Sequence, residues 1–209
     1  MTESKIIMHL TEKANEFVKI LPKDLAFDFI DEMYFAGGCI YSLANGKEPK
    51  DYDIFLKSDK LIPKLKELDC WVCKTDNALS YGKFQVIIKF YGEPEEVVGQ
   101  FDFKHNMHWF DIADERVCIC CGYEEEIENS TSSLDDYIYI HTNELIFNEK
   151  RARDCENVWL RIDKFIKRGM KISKETKKKI LSKTSKKEIK KARKSHRSGR
   201  SGRSGGGHY

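Results

Sequence analysis

The chain has 209 residues, 40% of them hydrophobic and 34% charged, enough for one domain with a core plus an appendage. No apolar run approaches membrane-spanning length, and Met1-Thr2-Glu3-Ser4-Lys5 leads into an amphipathic stretch where a signal peptide would carry an apolar run, so neither an integral membrane protein nor a secreted one is expected. The net charge of +3 hides an asymmetry: residues 150–209 hold 22 Lys and Arg against 5 Asp and Glu, so residues 1–149 are strongly acidic. An acidic body with a basic tail suits contact with nucleic acid or another polyanion. The seven cysteines form no regular framework and fit a reducing, cytoplasmic setting.

In chain order, Ile6, Ile7, Leu10, Ala14, Phe17, Val18 and Leu21 recur at helical spacing over residues 5–21, and Pro22 ends that helix. Leu25 to Ile30 is a short helical or extended piece. Met33 to Ala36 reads as a strand entering the Gly37-Gly38 turn, Ile40 to Ala44 as a helix closed by Asn45-Gly46, and Tyr52 to Leu56 as a strand. A helix is expected from Ser58, with Leu61, Leu65 and Leu68 on one face. Strands follow around Trp71–Cys73, Ala78–Tyr81 and Lys83–Tyr91. Val98 to Phe103 reads as a strand, Asn106 to Ala113 as a helix and Val117 to Cys121 as a strand. An acidic loop spans Glu124 to Asp136, before an extended Tyr137–Ile140. A basic helix is expected from Asn148 to Arg168 and a Lys-rich one over 174–194, with disordered Ser/Gly/Arg repeats over 195–209. This divides the chain into a domain over 1–147, a basic helical extension over 148–194 and a tail.

Two motifs carry chemistry. In the apolar run Asp51-Tyr52-Asp53-Ile54-Phe55-Leu56, residues i and i+2 of a strand share a face, so Asp51 and Asp53 project side by side while Tyr52 and Ile54 face the core. Two carboxylates held that close repel unless a cation lies between them. Upstream, Gly37-Gly38 offers backbone N–H groups at a turn opening a helix, which suits a phosphate, and Cys39 follows as the first helical residue. Asp102 is the best third carboxylate, if its strand pairs beside Tyr52–Leu56. Three such groups would hold two divalent ions roughly 3.5–4 Å apart, clamping the two oxygens of an in-line displacement. Oxygen ligands with phosphate favour Mg²⁺ or Mn²⁺.

Gly37-Gly38, Asp51-x-Asp53 and the segment Asp102-Phe103-Lys104-His105-Asn106 together resemble the DNA polymerase β nucleotidyltransferase superfamily, in particular the head domain of CCA-adding enzymes and bacterial poly(A) polymerases, and small phage and bacterial proteins of that type. The resemblance covers about residues 30–170. It implies an α/β (α+β) fold, a mixed sheet with flanking helices, and transfer of a nucleoside monophosphate from a nucleoside triphosphate to a hydroxyl. In it Asp51, Asp53 and Asp102 would be the metal-binding catalytic residues, and Gly37, Gly38 and Cys39 would lie against the nucleotide phosphates. Tyr41 stands in the region of a family arginine, and Gly99-Gln100-Phe101 stand where paired arginines precede the family's later aspartate.

Plainer readings stay open for each residue. The Asp51/Asp53 pair reads also as solvated carboxylates at a strand end, Gly37-Gly38 as an ordinary turn, Cys39 as a small buried hydrophobe, and Asp102 as a helix cap. Cys118, Cys120 and Cys121 with His105 and His108 could suggest zinc, but Cys-x-Cys-Cys lacks the usual Cys-x-x-Cys spacing, and the cysteines fit strand hydrophobes better. A Lys-rich run is often merely solvated, though one this dense binds polyanions by counterion release. The second function class is a catalytically silent nucleotidyltransferase-like fold that binds nucleic acid or assembles with a partner.

Overall fold

The computed structural model describes residues 1–119, 134, 139–150 and 157–183. They fall into two compact units that divide between Thr142 and Asn143. In the first, α1 (Glu3–Val18) and α2 (Lys23–Glu32) lead into β1 (Met33–Ala36), α3 (Gly38–Ala44) and β2 (Tyr52–Leu56). Next come α4 (Ile62–Glu67), β3 (Cys73–Lys74), β4 (Ala78–Tyr81), β5 (Phe84–Ile87), α5 (Pro94–Gly99), β6 (His108–Asp111) and β7 (Arg116–Ile119). The strands form one mixed sheet in the order β3-β4-β5-β2-β1-β6-β7. Among the described strands of this sheet, β2 and β5 pair in parallel and the other pairs are antiparallel. The fold is α+β, as the sequence leads one to expect.

The main core covers one face of the sheet. Ile6, Leu10, Ala14 and Phe17 form one stripe of α1, since residues three and four apart share a helix face. They pack with Leu25 and Phe29 of α2, Cys39, Ile40 and Leu43 of α3, and the inward strand residues Phe35, Ile54, Val86 and Phe110. The Phe17 ring lies 5.1 Å from that of Phe84 and 5.4 Å from that of Phe29. Each such ring contributes on the order of 1.5–3 kcal/mol by leaving water. The opposite face carries a smaller cluster of Tyr34, Ala36, Phe55, Val98 and Met107, flanked by Phe101 and Trp109.

Several segments differ from the sequence expectation, among them the helix expected from Asn148, which begins at Val158. Residues 98–103 are not a strand: α5 runs through Gly99, and Asp102 follows it in a turn. Pro94 in the first turn, with Glu95 and Glu96 beside it, starts a helix that overrides the β-branched Val97-Val98 pair. Residues 106–113 are not a helix: Lys104–Asn106 form a single 3₁₀ turn and His108–Asp111 the strand β6. There His108 and Phe110 are buried and Trp109 and Asp111 half-buried, the alternation of a strand. The helix expected from Ser58 begins at Ile62, with Pro63 in its first turn.

In the second unit, Leu145 N–H donates to Lys171 O and Lys171 N–H to Asn143 O, each at 2.7 Å. α6 (Val158–Lys167) starts after Asn157, whose φ of 60° is left-handed. α7 (Lys174–Lys183) carries the Lys-rich sequence, with Lys179 2.7 Å from Glu149 and 3.4 Å from Glu175. Residues 184–194, the tail 195–209 and most of the acidic stretch 124–136 lie outside the described residues.

Candidate active site

Strand register builds the site. Tyr52, Ile54 and Leu56 of β2 are buried in the main core, so Asp53 points to the opposite face, and Asp51, one step before the strand, follows the same alternation. Both are half-buried. The Asp51 end is held by Tyr52 N–H donating to Lys83 O at 2.8 Å. On β5, Gln85 pairs with Asp53 and in turn with Ser80 of β4. On the other side Phe35 pairs with Ile54, and one step further along that ladder Ala36 lies opposite Asp53. Ala36 then pairs with Trp109 of β6, and Trp109 with Cys118 of β7. One row thus crosses the sheet at the level of Asp53: Ser80, Gln85, Asp53, Ala36, Trp109 and Cys118. Strand alternation around Phe84 and Val86 could have found Gln85; Trp109 was hidden by the helical reading of its segment.

The Gly37-Gly38 turn closes the end of β1 beside this row. Gly37 N–H donates to His108 O at 3.2 Å, and its φ of 81° with ψ of −127° is a conformation that L side chains avoid. A Cβ on Gly37 would stand 3.3 Å from the Phe101 ring. Around Gly38 the space is open, with nothing within 4 Å of where a Cβ would be, so a ligand atom can approach that backbone. Cys39 is buried, and burial together with the negative charges of Asp53 and Asp51 pushes its thiol pKa far up. Its Sγ lies 3.8 Å from Ala36 O. Cys39 is therefore a neutral, packed side chain, and the two aspartates are close enough to the turn for their fields to be felt there.

Asp102 arrives by another route than strand pairing. β2 is flanked by β1 and β5, while Asp102 sits buried in the turn between α5 and the 3₁₀ turn. Its neighbour Phe101 packs 5.8 Å from Phe55 and over Gly37, which brings the segment beside the same turn. Among the described residues, no group of three or more His, Cys, Asp or Glu is gathered so as to hold a metal ion. Asp51 and Asp53 alone suit a hard cation all the same: Mg²⁺ is commonly held by one or two carboxylates with the substrate's phosphate oxygens completing its shell.

The remaining polar residues are engaged elsewhere. His105 and His108 are buried, and loss of hydration pushes each pKa down to about 3. His105 meets the Tyr41 ring edge-on at 4.8 Å, and the Tyr41 hydroxyl donates to Thr142 O at 2.6 Å. Lys104 Nζ lies 2.9 Å from the Tyr139 hydroxyl and over its ring. The zinc grouping finds no support here: His108 belongs to the core-facing row and Cys118 to the opposite one, and Cys120 and Cys121 lie outside the described residues.

Comparison with known proteins bears on the family and the fold. The family model described as "Gabija anti-defense 2 family protein" matches residues 8–151. A protein of Bacillus phage SPbetaL7, "Gabija anti-defense 2", is 29% identical over 155 residues, covering 69% of this chain and 35% of its own length. The chain thus spans about a third of that relative. Among solved structures, an apo CCA-adding enzyme superposes with a TM-score of 0.52 at 14% identity, over 91% of this chain and 49% of the enzyme. A CCA-adding enzyme in complex with ATP gives 0.50 at 14% identity, over 92% and 50%. Likeness at this identity establishes the nucleotidyltransferase fold.

Proposed function

The chain belongs to the Gabija anti-defense 2 family, and from that premise we propose that it is a metal-dependent nucleotidyltransferase that acts on the phage's side against a bacterial defence. The reaction would move a nucleoside monophosphate from a nucleoside triphosphate to a hydroxyl acceptor. The acceptor oxygen attacks the α-phosphorus, the bond from that phosphorus to the bridging oxygen breaks, pyrophosphate leaves with the electron pair, and the hydroxyl proton passes to solvent. The observation that supports this most is the placement of Asp51 and Asp53 on one sheet face, level with a Gly37-Gly38 turn whose backbone is open at Gly38. Asp51 and Asp53 would hold Mg²⁺ or Mn²⁺, which when bound neutralises charge on the phosphates. Gly38 would admit the phosphates to backbone contact, and Gly37 would hold the turn's shape. Positioning of this kind supplies most of the rate in phosphoryl chemistry. Asp102 belongs to the proposal as a buried carboxylate beside the turn, its substitution separating a three-carboxylate site from a two-carboxylate one.

Basic residues of the C-terminal part favour a polyanionic acceptor such as RNA, through counterion release. A second reading, a silent fold used for binding or assembly, is supported by Tyr41 and Phe101, which pack against protein in the regions where the resemblance would lead one to expect arginines. The deciding experiment incubates the full chain with Mg²⁺ and each labelled nucleoside triphosphate, with and without RNA or bacterial lysate as acceptor. Label transferred by the wild type and lost in Asp51→Asn and Asp53→Asn supports the enzyme. Absence of transfer to every acceptor, with RNA bound equally by wild type and variants, supports the silent fold.

A further inference from the structure

We propose that Gln85, with Ser80 behind it, forms the subsite that positions the acceptor hydroxyl, an inference that rests on the nucleotidyltransferase reading above. β2 lies between β1 and β5, so the acidic strand has two flanks. On the β1 flank, the ladder that sets Phe35 opposite Ile54 runs on through Ala36 into the Gly37-Gly38 turn, the place assigned to the phosphates. On the β5 flank, Gln85 pairs directly with Asp53, one strand spacing of ~4.8 Å away, and Ser80 pairs with Gln85 one spacing further. In an in-line displacement the attacking and leaving oxygens stand on opposite sides of the phosphorus. With the leaving phosphates held at Gly37-Gly38 and the α-phosphorus at Asp51 and Asp53, the attacking oxygen enters from the Gln85 flank.

Phe84 and Val86 are buried in the main core, so Gln85 between them shares the sheet face of Asp53. The two residues are immediate neighbours on adjacent strands. Gln85 and Ser80 are both half-buried, so part of each side chain reaches the surface, and neither side chain makes a hydrogen bond among the described residues. Nearby polar side chains are taken up by the protein: Lys83 Nζ lies 2.8 Å from Glu48 Oε1, and Thr75 Oγ1 bonds to the backbone of Ala78. A glutamine amide is neutral, with one oxygen to accept and one nitrogen to donate. The acceptor O–H donates to Oε1 of Gln85, which turns an oxygen lone pair toward the phosphorus, and Ser80 extends the polar surface beneath the acceptor. The amide takes no proton, which still passes to solvent, so Gln85 contributes by positioning and not as a base.

The test follows transfer by the full chain, with Mg²⁺, from labelled ATP to a single-stranded RNA oligonucleotide with free terminal hydroxyls, and in parallel titrates ATP and inorganic tripolyphosphate by calorimetry. Gln85→Met keeps the length of the side chain without its hydrogen bonds. It is expected to lower kcat/KM for the RNA about tenfold while leaving the ATP and tripolyphosphate affinities at the wild-type level, which also shows that the variant is folded. Ser80→Ala should cause a smaller loss of the same kind. Transfer by a folded Gln85→Met equal to that of the wild type overturns the subsite and leaves the nucleotidyltransferase reading standing. ATP affinity reduced as much as transfer assigns Gln85 to the nucleotide and overturns the subsite as well. A wild type that labels no RNA overturns the reading with RNA as acceptor and the subsite with it. Should Gln85→Met fail to fold, Gln85→Asn decides, because it withdraws the amide by one methylene: a comparable loss of transfer with unchanged ATP binding supports the subsite, and wild-type transfer refutes it.

Discussion

Nε2 of His9 and the hydroxyl of Tyr52 are hydrogen-bonded at 2.8 Å. Tyr52 is the residue between Asp51 and Asp53, so this bond pins the acidic strand to α1, the helix that covers the main core. Removing it in Tyr52→Phe is expected to lower stability by about 1 kcal/mol, with His9→Ala similar and the double variant less than additive. Urea unfolding of all three measures the coupling. Fully additive losses would mean that the bond contributes nothing.

The two glycines should part company. Gly37→Ala must place a side chain at φ 81° and 3.3 Å from the Phe101 ring, which is expected to cost about 1–3 kcal/mol and several degrees of melting temperature. Gly38→Ala meets open space at the start of α3 and should leave the melting temperature level or slightly raised. It should nonetheless weaken tripolyphosphate binding, because the methyl occupies the approach to the backbone. A Gly38→Ala protein that binds tripolyphosphate normally would remove Gly38 from the site.

Asp51→Asn and Asp53→Asn should each reduce Mg²⁺-dependent nucleotide transfer by at least about a hundredfold while leaving the fold intact. Asp102→Asn discriminates. A loss as large as theirs places Asp102 among the metal carboxylates. A lowered melting temperature with near-normal transfer makes it a structural residue of the turn after α5. Melting temperature and initial rate, taken on the same preparations, distinguish the two.

How far the site was legible follows from periodicity. Tyr52 and Ile54 alternate with Asp51 and Asp53 in an uninterrupted apolar run, and nothing competes with a strand there. The β1 turn was equally plain, because two consecutive glycines after four apolar residues leave little else to expect. Segment 94–111 misled because its signals conflict: Val97-Val98 and the Phe101/Phe103 pair speak for a strand, but Pro94 and two glutamates at a helix start outweigh them. His108-Trp109-Phe110-Asp111 is too short for two-residue alternation to stand out from helical spacing. Which strands lie beside β2 is decided by long-range pairing, and local sequence holds no record of it.

Acid should unfold the protein through His105 and His108. Both are buried and stay neutral in the folded state down to about pH 3, whereas in the unfolded chain an imidazole takes up its proton near pH 6.5. Between those values the unfolded state binds more protons, so stability is complete above pH 6.5 and declines as pH falls through the window, by up to about 1.4 kcal/mol per pH unit for each histidine. Urea midpoints at pH 7.5, 6.0 and 5.0 should fall progressively. In His105→Met the slope below pH 6.5 should be about half that of the wild type, and an unchanged slope would clear His105.

The pairing order of β2 also dictates when the site can exist during synthesis. Its partners come from opposite directions along the chain: Phe35 meets Ile54 early and Phe84 reaches Tyr52 later, while Trp109 meets Ala36 of the neighbouring β1 later still. A ribosome that has released only the Gly37-Gly38 turn and the two aspartates has released them without the sheet that aligns them. The acidic strand is thus left without its second partner until β5 has emerged, and an amino-terminal fragment ending before residue 108 would still lack the carbonyl of His108 that holds the N–H of Gly37.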